Sequence, residues 1–247
     1  MTKISRARLS KDGLGRTPEP ERTLFLALAH LQNELNFLHR AMIWSSDFSS
    51  TVEAKNQAAI AQSLFFVRLM AGKLKEGWEL LQEAFFGAHL SKDFERNGDK
   101  HVLEALGRLK RFFNSANIIH QVRNGFAFHY SPSELNLALA ATPDTLDVYL
   151  DPESNVNTLY YFAEVLANRA ILQKTGRVGE AESMDHLIQQ VGSVGKDFVA
   201  FCGGFMADFL DRYSDDVWSG KAEEVEIGAL PQFRTVSFPF FFEVSEE

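Results

Sequence analysis

The amino-acid sequence predicts an all-α protein: an antiparallel up-and-down helical bundle with additional C-terminal helices and a short extended aromatic tail. Three observations carry this reading. Apolar residues recur three and four apart over long stretches, the spacing that lines one face of an α-helix. Short links rich in capping and turn residues separate the stretches, as between antiparallel neighbours in a bundle. The apolar fraction is 45% of 247 residues, with 22 phenylalanines, which suffices for a large core rich in flat side chains.

Residues 1–17 read as a flexible basic tail. Lys3, Arg6, Arg8, Lys11, Arg16 and Arg22 precede most of the acids, and the tail ends in the turn Thr17-Pro18-Glu19-Pro20. A helical domain is expected over residues 18–218, its bundle at about 20–145 and further helices at about 155–214. Its first helix carries Leu24, Leu28, Leu31, Leu35, Leu38 and Met42 on one face. Ser50-Thr51-Val52-Glu53 is a capping box, in which hydroxyl and carboxylate each satisfy an orphan backbone N–H. It opens a second helix carrying Ile60, Leu64, Val67, Ala71, Leu74, Trp78, Leu81 and Phe85 and ending at Gly87. At 1.5 Å per residue that helix is roughly 55 Å long, with Gly72 and Gly77 as points of bending.

Val102, Leu106, Leu109 and Phe113 mark a third helix, which pauses at Asn114-Ser115 and resumes through Ile118, Ile119 and Val122. Ser131-Pro132-Ser133-Glu134 is a second capping box, with proline at the first helical position, and opens a short helix ending near Pro143. Asp147 to Leu150 reads as a short strand or an extended lead-in. A helix from about Asn157 to Thr175 is capped by Gly176. The last long helix carries Leu187, Val191, Val194, Phe198, Phe201, Phe205 and Phe209, and its Gly192, Gly195, Gly203 and Gly204 suit close helix contact. Residues 219–247 form an extended tail containing Phe238-Pro239-Phe240-Phe241-Phe242, which must bury itself on its own body or on a partner subunit.

Composition narrows the function. The formal net charge is −8, whereas a protein that holds nucleic acid by bulk electrostatics is basic. Any such contact is therefore local. The single cysteine, Cys202, excludes an internal disulfide and a cysteine zinc cage, and its Phe and Gly neighbours mark a buried structural thiol. The N-terminal stretch lacks the apolar region of a signal peptide. No apolar run approaches the roughly 18 to 20 residues that cross a bilayer. A soluble, cytoplasmic protein without membrane contact is expected. Glu-x-x-His pairs, His-Glu-x-x-His, a phosphate-binding loop and a nucleophile elbow are all missing, and no metal or other cofactor is expected. Glu182 and His186, four apart, read as an exposed salt bridge.

The concentrated chemistry is Arg123-Asn124-Gly125-Phe126-Ala127-Phe128-His129-Tyr130. Arginine offers a planar fork to phosphate oxygens. Histidine titrates near neutral pH and moves a proton. On an ideal helix Arg123 and His129 lie about 120° apart, and Gly125 loosens the backbone between them. Phe126 and Phe128 are expected as core anchors. His120, one helical turn before Arg123, and Tyr130 are expected as cleft neighbours.

At Arg123-Asn124, four spacers and His129, the sequence resembles the HEPN superfamily, and Ala127-Phe128-His129-Tyr130 is similar to the form found in bacterial members. The resemblance covers about residues 20–145. It implies a metal-independent endoribonuclease whose product carries a 2′,3′-cyclic phosphate. His129 would transfer the proton, Arg123 would stabilise the phosphorane-like transition state, and Asn124 would position the substrate. It also implies RNA as substrate, a homodimer with two motifs meeting at the interface, a role in stress response or phage defence, and, for toxin members, a cognate antitoxin. Non-catalytic members imply the alternative of a binding or scaffold bundle. One departure stands out: members modified by a nucleotidyltransferase partner have Tyr two residues after His, where this chain has Ser131.

Overall fold

Each long apolar stripe becomes a helix in the computed structural model, which describes residues 2–86, 89–123, 131–142, 145–174 and 179–243. The first is α2 (Glu19–Trp44), after a short α1 (Lys11–Arg16). The second is α3 (Glu53–Ala84), followed by α4 (His89–Asn97) and α5 (Lys100–Phe113). Then come α6 (Ile118–Val122), α7 (Pro132–Ala140), α8 (Tyr161–Gln173), α9 (Glu180–Arg212) and α10 (Ser214–Val217). Two strands, β1 (Thr2–Arg6) and β2 (Glu223–Gly228), pair antiparallel. Ten helices against one two-stranded sheet among the described residues make the protein an all-α helical bundle.

The chain divides into two compact units. Unit one takes the residues up to Glu34, Glu76–Arg111 and Lys196–Val236; unit two takes Leu35–Lys75, Phe112–Gly195 and the residues from Ser237 on. Both α2 and α3 contribute to each unit: residues 19–34 and 76–84 to unit one, residues 35–44 and 53–75 to unit two.

Unit one is built on phenylalanine. Phe85, Phe94, Phe201 and Phe205 are all buried and meet mainly edge to face, at centroid separations of 5.3 Å for Phe85–Phe201 and 5.8 Å for Phe85–Phe94. Such offset geometry sets the positive ring edge on the negative face. Phe25 and Phe209 stack at 4.3 Å. Two glycines permit the helices to approach. A Cβ on Gly204 would lie 2.6 Å from Val102 Cγ1, so α5 and α9 touch through the missing side chain. A Cβ on Gly77 would lie 2.6 Å from Leu31 Cδ2 and 3.1 Å from Phe198 Cε1. Gly203, by contrast, faces open space, and in unit two a Cβ on Gly195 would make only ordinary contact with Met70.

The N-terminal stretch departs from its expected role as a loose tail. Residues 2–6 form β1 against β2, and Lys3 pairs with Glu224 at 2.8 Å. Arg6 and Arg8 both reach Glu223 at 2.6 Å, and Arg16 reaches Asp216 at 3.0 Å. The basic excess thus meets the acids of residues 216–224. These pairs are exposed and individually weak, and those of Lys3 and Arg6 lie along the ladder itself.

In unit two the core is aliphatic: Leu35, Leu64, Val67, Ala71, Leu74, Ile119, Val122, Ile171 and Val191 are buried. A buried Arg68 on α3 binds Glu164 at 2.8 Å and Asn168 at 2.7 Å, both on α8. The expected lead-in at Asp147 to Leu150 makes one bridge, with Tyr149 and Leu159 exchanging backbone hydrogen bonds of 2.9 and 2.8 Å. The aromatic tail finds cover on its own unit, where Phe240 and Phe241 pack against Ala58, Ala61 and Leu159.

Neither expected capping box closes: the Ser50 hydroxyl does accept a backbone N–H, that of Val52 at 3.1 Å, but Glu53 does not take the Ser50 N–H. At the start of α3 the Asn56 amide closes on Ser50, accepting from its N–H at 3.1 Å and donating to its carbonyl at 2.8 Å. At α7 proline does occupy the first turn, but Ser131 makes no capping bond and Glu134 pairs instead with Lys174 at 2.6 Å. The expected glycine cap of α8, Gly176, lies outside the described residues.

Candidate functional site

The candidate site begins where α6 ends. Asn117 has extended backbone (φ −141°, ψ 155°), and its side-chain oxygen accepts from the His120 N–H at 2.9 Å, which starts the helix. The same side chain donates to the Ser115 carbonyl at 2.9 Å, tying the pause after α5 to the cap of α6. Ile118, Ile119 and Val122 are buried, while His120 and Gln121 are exposed. The helix therefore holds one aliphatic face inward and presents His120 to solvent.

Arg123 follows at the C-cap with helical backbone, φ −58° and ψ −46°, and its N–H donates to the Ile119 and His120 carbonyls. Its side chain is half-buried beside the aliphatic core, with the guanidinium Nε shut off from solvent. Arg123 and His120 are the two candidate residues the structure describes. Asn124, His129 and Tyr130, with the expected anchors Phe126 and Phe128, lie outside the described residues.

On the far side of that link, α7 is fixed through α8. Lys174 pairs with Glu134, Arg169 donates to the Ala141 carbonyl, and the Thr142 hydroxyl donates to the Ala138 carbonyl at 2.6 Å. Ala138 is fully buried. Since α8 is in turn bound to α3 by Arg68, the segment bearing the motif starts and finishes on anchored helices of one unit.

The other candidates are simply placed. Cys202 is buried in unit one, and burial pushes its thiol up to about 12, so it is a core residue rather than a nucleophile. Glu182 is exposed and His186 half-buried on α9. Among the described residues no three His, Cys, Asp or Glu side chains gather as metal ligands. No helix among them is long and apolar enough to cross a membrane. The sequence reading missed a cavity in unit two lined by Lys55, Gln62 and the aromatic tail. The signal that would have found it is the tail's need for cover.

A comparison with protein-family models, curated proteins and solved structures finds no match to this chain.

Proposed function

We propose that this chain is an HEPN-like, metal-independent endoribonuclease that works as a homodimer in the cytoplasm, in stress response or phage defence. The observation that supports the reading is Arg123, half-buried at the end of a helix that is itself packed by Ile118, Ile119 and Val122. A guanidinium held against a core has few rotamers left to lose and can meet developing charge without reorganising. Asn124 follows it directly and His129 comes after four spacers. In the reaction His129 takes the proton of a ribose 2′-hydroxyl as that oxygen attacks phosphorus. The P–O5′ bond breaks, the 5′-oxygen takes a proton from solvent as it leaves, and a 2′,3′-cyclic phosphate remains. Arg123 stabilises the charge on the phosphoryl oxygens, and Asn124 positions the strand.

The test is incubation of the purified protein with total RNA in EDTA, beside His129→Ala and Arg123→Met. Cleavage by the wild type alone, with cyclic-phosphate ends, is expected. The same fragments from His129→Ala would refute the assignment. A second reading is favoured by the net charge of −8, which repels a polyanion: a bundle that keeps the fold and binds a partner, a cognate antitoxin among them, without turnover. Intact RNA with wild type and variants alike favours that reading.

A further inference from the structure

Unit two contains a cavity of about 180 Å³ between the end of α2, the first turns of α3 and residues 237–241. Trp44, Phe238 and Phe240 supply aromatic walls, and Ala58 keeps the α3 side open. The walls are held in place. The Phe238 N–H donates to the Trp44 carbonyl at 2.9 Å, and Asn157 clamps the backbone of Phe242 through both its amide atoms, at 2.9 and 3.2 Å. Three polar groups on the lining have no partner among the described residues: the half-buried Gln62 amide, the exposed Lys55 ammonium and the exposed Ser237 hydroxyl. The other charge on the lining, Asp47, spends one carboxylate oxygen on the N–H and hydroxyl of Ser49, at 3.1 and 2.6 Å.

Fixed aromatic walls, one unengaged amide and one unengaged cation form a specific combination. The volume is that of about six waters, enough for one ring system and well short of a drug-sized pocket. We propose that this cavity binds a small planar aromatic acid. Its ring lies against Trp44 and Phe238, its anionic group meets Lys55, and the Gln62 amide bonds the polar edge of the ring. The site is independent of the Arg123 motif, and its test is a binding measurement that ribonuclease activity does not enter.

The experiment titrates the full chain by calorimetry with indole-3-carboxylate and, separately, with the neutral indole-3-carboxamide. Saturable one-site binding of the acid is expected. Lys55→Met weakens the acid about fivefold and leaves the amide unchanged, since an exposed ion pair contributes only modestly. Phe238→Ala weakens both about tenfold through lost ring contact. Lys100→Met in unit one serves as the control and changes neither. Circular dichroism checks that each variant keeps its helices. The proposal is overturned by the absence of saturable binding up to about 10 mM. It is overturned equally if Lys55→Met affects acid and amide alike, or if Phe238→Ala has no effect in a folded protein.

Discussion

Gly204 gives the sharpest test of the packing, because one substitution brings two opposed effects to the same position. Alanine in place of glycine in a helix interior gains about 1 kcal/mol of helix propensity. Here the new methyl would sit 2.6 Å from Val102 Cγ1 and 3.0 Å from its Cβ. Rotating the valine side chain does not relieve the second distance, since Cβ is fixed to the backbone of α5. The helices must therefore separate, and overpacking of this kind costs typically 1–3 kcal/mol. With so short a distance to a backbone-fixed atom, the upper part of that range applies, and Gly204→Ala is expected to destabilise by about 1–2 kcal/mol net.

The neighbouring position supplies the control. Gly203 lies on the same helix with nothing near its missing Cβ, so Gly203→Ala receives only the propensity gain, about 0.5–1 kcal/mol. Guanidinium denaturation followed by circular dichroism should shift the midpoint in opposite directions for the two variants. In a Val102→Ala background the Cγ contacts are gone and only the 3.0 Å approach to Cβ remains, so the cost of Gly204→Ala should fall by about 1–2 kcal/mol, read as a coupling between the two positions. If Gly204→Ala is as stable as Gly203→Ala, or if Val102→Ala leaves its effect unchanged, α5 and α9 do not meet as described.

Arg68→Ala should cost about 3 kcal/mol in a denaturation midpoint, at the low end for a broken buried pair because Glu164 retains some solvent access; a loss below 1 kcal/mol would remove the α3–α8 clamp from the account. Hydrogen bonds from Arg6 and then Arg8 hold the Glu223 carboxyl below its ordinary range. Its contribution to β1–β2 pairing is therefore full above the unfolded value of about 4.3 and is lost as pH falls through the lower folded value. Amide exchange at Ile4 should rise across that window in the wild type and lose this response in Glu223→Gln; an unchanged response in the variant would exclude Glu223 as its source. With its thiol pushed up to about 12 by burial, Cys202 should react with iodoacetamide at pH 8 only as fast as the protein unfolds. Rapid alkylation of the native protein would contradict its burial.

Helices of this kind are legible because their cause is local. All seven α9 stripe residues from Leu187 to Phe209 are buried, and so are Leu64 to Phe85 on the α3 stripe. What escaped were partners chosen from far along the chain. The basic N-terminal residues and Glu223, Glu224 and Glu226 are complementary by inspection, yet no periodicity says that they form a ladder. The same holds for Lys174 drawing Glu134 out of a capping role, and even nearby a rival was missed, Asn56 displacing Glu53 at the start of α3. In each case a carboxylate or amide had two competent partners, and the fold selected the other one. The short α4 escaped for a different reason: its nine residues carry Leu90 and Phe94 inward, too few for a stripe to stand out.

The candidate site shows how the two kinds of information depend on each other. Arg123 was found from residue type and spacing alone, but a five-residue helix such as α6 has no stability of its own. It exists because Asn117 caps it and because Ile118, Ile119 and Val122 are buried. The position of the guanidinium is thus a property of the unit-two core and not of the motif. The same logic governs the cavity at Lys55 and Gln62, whose aromatic walls are delivered by residues 237–241 and held by Asn157. A chemistry-bearing residue in this protein acquires its environment from contacts distant in sequence. Substitutions at Asn117 or Asn157, which carry no chemistry themselves, should therefore disturb the two sites separately and leave the helical content of the bundle nearly intact.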